Sequence, residues 1–194
     1  MKLLRIDSSP LKEMSTSRAI ADSLQQHLET KGFTLSNHRD LFYDKQVTLG
    51  NQDRFTGYFT PEDQQSESQK EAVADSNELA LEFAAADAYI IAAPMYNFGV
   101  TAPLKAYIDL ISRNGISFNY TESGPVGLLE GKKAYVIVST GGTPVGSEVD
   151  FVSKYLKTFL GFVGITDVEI IPADLTHTQK DEAINRAKNL IAGY

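Results

Sequence analysis

Apolar and polar positions follow two rhythms along the chain, and the places where one gives way to the other mark the elements. Leu3-Leu4-Arg5-Ile6 is a short apolar run stopped by Asp7-Ser8-Ser9-Pro10, which predicts a strand and a turn. From near Ser15 the spacing becomes helical, with Ile20, Ala21, Leu24 and Leu28 on one face and Gly32 where such a helix would end. Residues 33–41 are polar enough for an edge strand, because a central parallel strand is apolar on both faces. Over 42–60 the pattern breaks into Gly, Asn, Asp and scattered aromatics. There Phe55, Tyr58 and Phe59 suit either a covering flap or a satellite core.

Pro61-Glu62-Asp63 predicts the opening of a long polar helix that runs to about Ala86, with its acids where the helix dipole favours them. Ala88-Tyr89-Ile90-Ile91-Ala92-Ala93 reads as a fully buried strand ending at Pro94. Helical spacing returns over 102–111 through Leu104, Tyr107, Ile108 and Ile111. Ala134-Tyr135-Val136-Ile137-Val138 is a second buried strand. It is followed by a helix with Val152, Tyr155, Leu156, Phe159, Leu160 and Val163 on one stripe. A last strand over 168–171 and a helix over 180–192, with Ile184, Ala187, Leu190 and Ile191 inward, complete the pattern.

Strand and helix therefore alternate, which predicts an α/β fold with right-handed crossovers and helices on both faces of a parallel sheet. Five strands favour the doubly wound, flavodoxin-like order 2-1-3-4-5 over a six-stranded dinucleotide fold. The length of 194 residues fits a single domain over 1–194.

Composition narrows the chemistry. A net charge of −7 repels phosphate backbones and anionic lipid, so nucleic acid is not the expected partner. The chain has 0 cysteines, which removes disulfides, thiolate nucleophiles, Cys-ligated zinc and iron–sulfur clusters. Any redox chemistry must borrow a cofactor. The N-terminus carries no secretory pattern, and the most apolar stretch, 88–95, is far shorter than the ~20 residues of a membrane helix. A cytoplasmic protein without a membrane partner is expected. His27 and His38 have no second histidine at ligand spacing, so surface roles and no metal site are expected. The acidic run over 62–78 reads as a solvated helix face.

In an open parallel sheet, ligands sit beyond the carboxyl ends of the strands where the order reverses, here between strands 1 and 3. The loop after strand 1 carries Ser9 and then Ser15, Thr16 and Ser17 at a helix N-terminus, a neutral cradle for a phosphate. Ordinary N-capping is the alternative and needs only one of these hydroxyls. Gly131-Lys132-Lys133 lacks a Walker context, and no G-x-G-x-x-G is present. The loop after strand 3, Pro94-Met95-Tyr96-Asn97-Phe98-Gly99-Val100-Thr101, offers a flat apolar wall to a planar ligand, or else forms a buried aromatic corner or subunit contact. Ser139-Thr140-Gly141-Gly142 follows strand 4, and its glycines allow close backbone approach. Phosphate donors, a flat wall and a glycine floor suit FMN better than ATP, because no basic or metal-binding cluster surrounds the phosphate position.

The sequence resembles the FMN-dependent NADH-azoreductases, flavodoxin-like NAD(P)H:quinone reductases. The resemblance covers almost the whole chain and is most specific at Ala93-Pro94-Met95-Tyr96-Asn97-Phe98, at Phe118-Asn119-Tyr120-Thr121-Glu122-Ser123-Gly124-Pro125, at Gly131-Lys132-Lys133-Ala134 and at Thr158-Phe159-Leu160-Gly161-Phe162-Val163-Gly164-Ile165. It implies that Ser9, Ser15, Thr16 and Ser17 hold the FMN ribityl phosphate. It likewise implies that Pro94, Met95, Tyr96, Asn97 and Phe98 line the isoalloxazine, and that Ser139, Thr140, Gly141 and Gly142 meet its pyrimidine edge. It further implies a homodimer with two FMN sites at the interface, with Phe98, Tyr120 and Phe162 shaping the substrate pocket. Arg is frequent in that family where Thr140 stands, and Gln where Thr16 stands. Both departures bear on nicotinamide preference and substrate range. The implied reaction is ping-pong hydride transfer from NADH or NADPH through FMN to quinones, and in two cycles to aromatic azo compounds, with no protein nucleophile.

Two other classes fit parts of the pattern. An SGNH-like serine esterase would use Ser8 after strand 1 and the pair Asp174 and His177, although no convincing Gly-x-Asn oxyanion element is present. A flavodoxin-type electron carrier would use the acidic surface for docking and stabilise one-electron reduction. The long excursion over 115–130 and the aromatic 42–60 segment exceed what a bare carrier needs.

Overall fold

The most apolar runs take the middle of the sheet, where both faces are covered. In the computed structural model, which describes residues 1–44 and 49–194, β1 (Lys2–Asp7), β3 (Ala88–Pro94) and β6 (Lys133–Ser139) lie side by side. The more polar β2 (Thr34–Asp40) and β7 (Asp167–Ala173) form the edges. All pairings in this sheet are parallel and the order is β2-β1-β3-β6-β7, the expected 2-1-3-4-5 arrangement once its strands alone are numbered.

Side-chain alternation along these strands splits the core in two. On one face Leu3, Ile90 and Ile137 pack against α1 (Thr16–Thr30) and α6 (Lys180–Ile191) through Leu24, Leu28 and Ala187. On the other, Leu4, Ile91 and Val136 meet α3 (Glu67–Ala85), α4 (Ala102–Ile111) and α5 (Phe151–Phe162) through Phe83, Leu104 and Leu156. Register aligns the strand ends: Asp7 opposes Ala92, and Pro94 opposes Ser139. The loops after β1, β3 and β6 therefore leave the sheet at one edge.

Three elements differ from the sequence expectation. Pro61 opens only a 3-10 turn over Glu62–Gln64; α3 begins at Glu67, where Ser66 and Gln69 form a reciprocal capping box that satisfies the first backbone N–H groups. Within 42–60 a short α2 (Gln52–Gly57) forms, capped by the Asn51 side chain, whereas residues 45–48 of that flap lie outside the described residues. The 115–130 excursion folds into an antiparallel hairpin of β4 (Phe118–Thr121) and β5 (Gly124–Gly127). It is pinned to the end of α5, where a Cβ on Gly127 would stand 2.1 Å from the Gly164 amide nitrogen. Only glycine permits that backbone approach.

Candidate active site

The chain turns from β1 into α1 through a loop built around a buried carboxylate. Ser8 donates both its N–H (3.1 Å) and its hydroxyl (2.8 Å) to the Ala92 carbonyl, tying the loop to β3. Arg18, on the first turn of α1, reaches back and donates to the Ser9 carbonyl through Nε (3.1 Å) and Nη2 (2.5 Å). Ser15 caps the helix by accepting the Arg18 N–H. Among the described residues the N–H groups of Thr16 and Ser17 have no acceptor, as the start of a helix requires. These groups, with the positive end of the helix dipole, make a position suited to an anion.

Beside them lies a cavity of about 270 Å³. Its walls come from four strand-end loops: Ser9, Ser15 and Thr16 after β1; Pro94, Met95 and Tyr96 after β3; Ser139, Thr140 and Gly141 after β6; and Thr176, His177 and Lys180 after β7. Small-molecule sites run ~300–1,000 Å³, so this volume suits a phosphate with a short polar chain better than a whole nucleotide. Hydroxyls, free helical amides and one lysine are the donors such a group needs.

The loop after β3 forms the rim. Tyr96 and Gly99 exchange backbone hydrogen bonds of 3.0 and 3.1 Å, and the two central residues, Asn97 and Phe98, both take positive φ (51° and 69°). A bulky residue in that region costs on the order of 1–3 kcal/mol, and such strain collects at ligand clamps. It leaves the Phe98 ring 54% exposed, with Tyr96 exposed beside it. The loops are joined beneath, since Met95 N–H donates to the Ser139 carbonyl (2.8 Å).

Under the β1 loop sits a network of ion pairs that the sequence reading did not foresee. Asp7, its side chain only 1% exposed, accepts from Arg5 through both oxygens (3.1 and 2.8 Å) and from Arg18 at 3.3 Å, with His38 Nε2 at 3.0 Å. Arg18 also forks onto Asp40 (2.6 and 2.8 Å), fixing the edge strand to α1. Burial pushes the Asp7 carboxyl up, but hydrogen bonds from His38 and Arg5 and the Arg5 charge outweigh it. The group titrates below the usual carboxylate range. His38 is thus part of a buried network although its own ring is 40% exposed. The Nε2 of His27, the other histidine assigned to the surface, is buried without a partner among the described residues.

Of the residues expected to hold a cofactor, Ser9, Ser15, Thr16, Pro94, Met95, Tyr96, Ser139, Thr140 and Gly141 converge on the cavity. Four do not line it. Ser17 is buried and hydrogen-bonded to Ser15 Oγ (3.2 Å), so it supports the cap. Asn97, Phe98 and Gly142 stand on the exposed rim. The close approach at Gly141 is made by a side chain: a Cβ there would meet the His177 ring at 2.5 Å. Tyr120 and Phe162 flank Phe118 on the hairpin, at ring distances of 5.2 and 4.6 Å, and do not reach this cavity within one chain. Ser8 is not a nucleophile, because its hydroxyl is buried and committed to a carbonyl, which removes the esterase reading.

A family model described as a flavodoxin-like fold matches residues 1–192. An FMN-dependent NADH:quinone oxidoreductase 1 of Hahella chejuensis is 45% identical over 98% of this chain and 93% of its own length. An FMN-dependent NADH:quinone oxidoreductase of Burkholderia pseudomallei is 43% identical over 98% of both. The chain belongs to this flavodoxin-like oxidoreductase family. Among solved structures, an FMN-dependent NADH-azoreductase from Bacillus anthracis in complex with FMN has a TM-score of 0.87 at 26% identity. That match covers 99% of this chain and 96% of the azoreductase.

Within that family frame, the cavity residues missed by sequence reasoning are Thr176 and Lys180, together with His177, which it gave to the esterase reading and not to a cofactor. Thr176 donates to the Thr140 carbonyl through its hydroxyl (2.9 Å), and His177 N–H donates to the Gly141 carbonyl (3.0 Å), so the loop after β7 braces the loop after β6. The hydroxyl-rich run Thr176-His177-Thr178 after the last strand was the available signal.

Proposed function

We propose that this protein is an FMN-dependent NAD(P)H oxidoreductase that reduces quinones and cleaves aromatic azo compounds, working as a cytoplasmic homodimer. The observation that carries the reading is the meeting of a hydroxyl and helix-amide cradle with a strained aromatic rim at the switch point of the sheet, in a chain whose 45%-identical relative is named an FMN-dependent NADH:quinone oxidoreductase.

The residues present fit FMN. Ser9, Ser15, Thr16 and the first amides of α1 would hold its phosphate, with Lys180 supplying positive charge from the cavity wall. Met95, Tyr96, Asn97 and Phe98 would line the ring system, and Ser139, Thr140 and Gly141 would meet its polar edge. When bound, the flavin supplies the two-electron chemistry that this cysteine-free chain lacks. The protein's own part is to orient the ring, exclude water and present a flat slot that donor and acceptor occupy in turn. NADH and a proton reduce a quinone to the hydroquinone; an azo bond takes two NADH and two protons to give two amines. Exposed Phe98, Val149 and Phe151 leave aromatic and aliphatic surface beside the rim that a second copy would cover, and Tyr120 and Phe162 would enter the pocket from that copy.

Steady-state rates with NADH and a benzoquinone should give parallel double-reciprocal lines, from a species of twice the 21.3 kDa chain mass by light scattering. Repeating the assay with NADPH ranks the two donors. Intersecting lines would overturn the shared slot, and a monomer active at full rate would overturn the dimeric site.

A further inference from the structure

A second cavity, of about 560 Å³, shares no lining residue with the first. It lies between segment 57–62 and the turn that follows α4, with Tyr58, Phe59, Arg113, Ile116 and Tyr120 in its wall. The wall is built in advance. Tyr58 donates its phenol to Ser76 Oγ (2.9 Å), and Ser76 donates onward to the Leu110 carbonyl (2.6 Å). Gln65 Nε2 donates to the Gly57 and Thr60 carbonyls (2.9 and 3.0 Å), stapling the segment opposite.

Arg113 dominates the electrostatics. It is 7% exposed, its guanidinium carbon lies 3.8 Å from the Tyr58 ring centre, and Nε donates to Asn77 Oδ1 (2.9 Å). Among the described residues neither of its Nη atoms has a hydrogen-bond or ion-pair partner. The nearby Arg54 is equally buried and pairs with Asp75 (2.7 Å), while its own Nε and Nη1 are buried without partners. Asp75 therefore serves Arg54, and Arg113 has no carboxylate partner among the described residues. The acid in the cavity wall, Glu62, is exposed on the rim and makes no ion pair with Arg113. The unpaired Nη atoms of Arg113 are not sealed from solvent as the unpaired Nε and Nη1 of Arg54 are, so they open onto the cavity and are within reach of a ligand anion. A guanidinium with Nε held and both Nη groups free is shaped for the fork of a carboxylate or sulfonate.

We propose that this cavity binds planar aromatic anions, with Arg113 taking the carboxylate or sulfonate and Tyr58 and Tyr120 lying against the ring. The binding site itself does not rest on the reductase reading.

The test is calorimetric titration of the FMN-loaded protein, without NADH, using 2-naphthoate and its neutral counterpart 2-naphthamide. The acid should bind at least about tenfold more tightly than the amide, the margin of a charge-assisted hydrogen-bond pair. Arg113→Lys should keep part of that preference and Arg113→Gln should abolish it, with amide binding changed less than about threefold. Equal binding of acid and amide by the unaltered protein overturns the proposal without recourse to a variant, as does undiminished acid preference in Arg113→Gln. A persistent acid preference in a protein that reduces no quinone would uphold the site while the reductase reading fell.

Discussion

Thr16→Asp should weaken FMN binding by at least about 30-fold while leaving the fold intact. Thr16 is the first residue of α1 and lines the cavity next to Ser15. An aspartate at that position suits the helix dipole, so stability should hold or rise by about 0.5 kcal/mol. The same carboxylate would face the phosphate dianion across a few ångströms, where like charges near a protein surface repel by ~4 kcal/mol at 4 Å. Even half of that energy with screening, about 2 kcal/mol, gives a loss of roughly 30-fold. Thr16→Ala removes only a hydroxyl and should cost about 1 kcal/mol, or roughly fivefold. Flavin fluorescence during dialysis against FMN reads both variants. Wild-type affinity in Thr16→Asp would mean that the phosphate does not sit at the α1 N-terminus.

The second large effect is expected at Asp7. Asp7→Asn strips the charge that balances Arg5 and Arg18 in a buried place, and should destabilise the protein by about 3 kcal/mol, the scale for breaking a buried pair on one side. For a chain of this size that lowers Tm by roughly 6–12 °C. Arg5 keeps Asp22 and Arg18 keeps Asp40, so the loss is bounded. The pH dependence has a definite sign. Asp7 titrates lower in the folded than in the unfolded chain, so its contribution is complete above the unfolded value of about 3.9 and disappears as pH falls through the folded value. Urea midpoints followed from pH 6 downward should therefore fall more steeply below about pH 4 in the natural protein than in Asp7→Asn. Equal acid limbs would show that Asp7 is not a net stabiliser. Because Arg18 also holds the Ser9 carbonyl, the variant should loosen the phosphate loop as well.

The sheet was legible because its central strands are apolar on both faces while β2 is not, a contrast that only a buried parallel centre and a solvated edge produce. The cavity was legible for the same topological reason: once the order is known, the loops after β1 and β3 must meet. What escaped was set by contacts distant in sequence. Asp7 looked like a turn residue, and its partners Arg18 and His38 lie 11 and 31 positions away, on α1 and on a neighbouring strand. Gly141 looked like room for a ligand, yet the imidazole of His177 fills that room. The 42–60 and 115–130 segments carry little periodicity because a six-residue helix and two four-residue strands are too short to show one. Tyr120 was placed with Phe98 through family resemblance; within one chain it borders the other cavity, beside Arg113.

The most direct measurement of the central claim is an anaerobic titration. The protein is loaded with FMN, freed of excess, and followed by visible absorbance as NADH is added and then a quinone. The account predicts retention of about one flavin per chain, loss of the oxidised flavin band with one equivalent of NADH and no long-wavelength band of one-electron reduction, and full recovery with one equivalent of quinone. Accumulation of the one-electron form, with little reduction by NADH, would identify an electron carrier instead. Failure to retain flavin would contradict the assignment of the cavity.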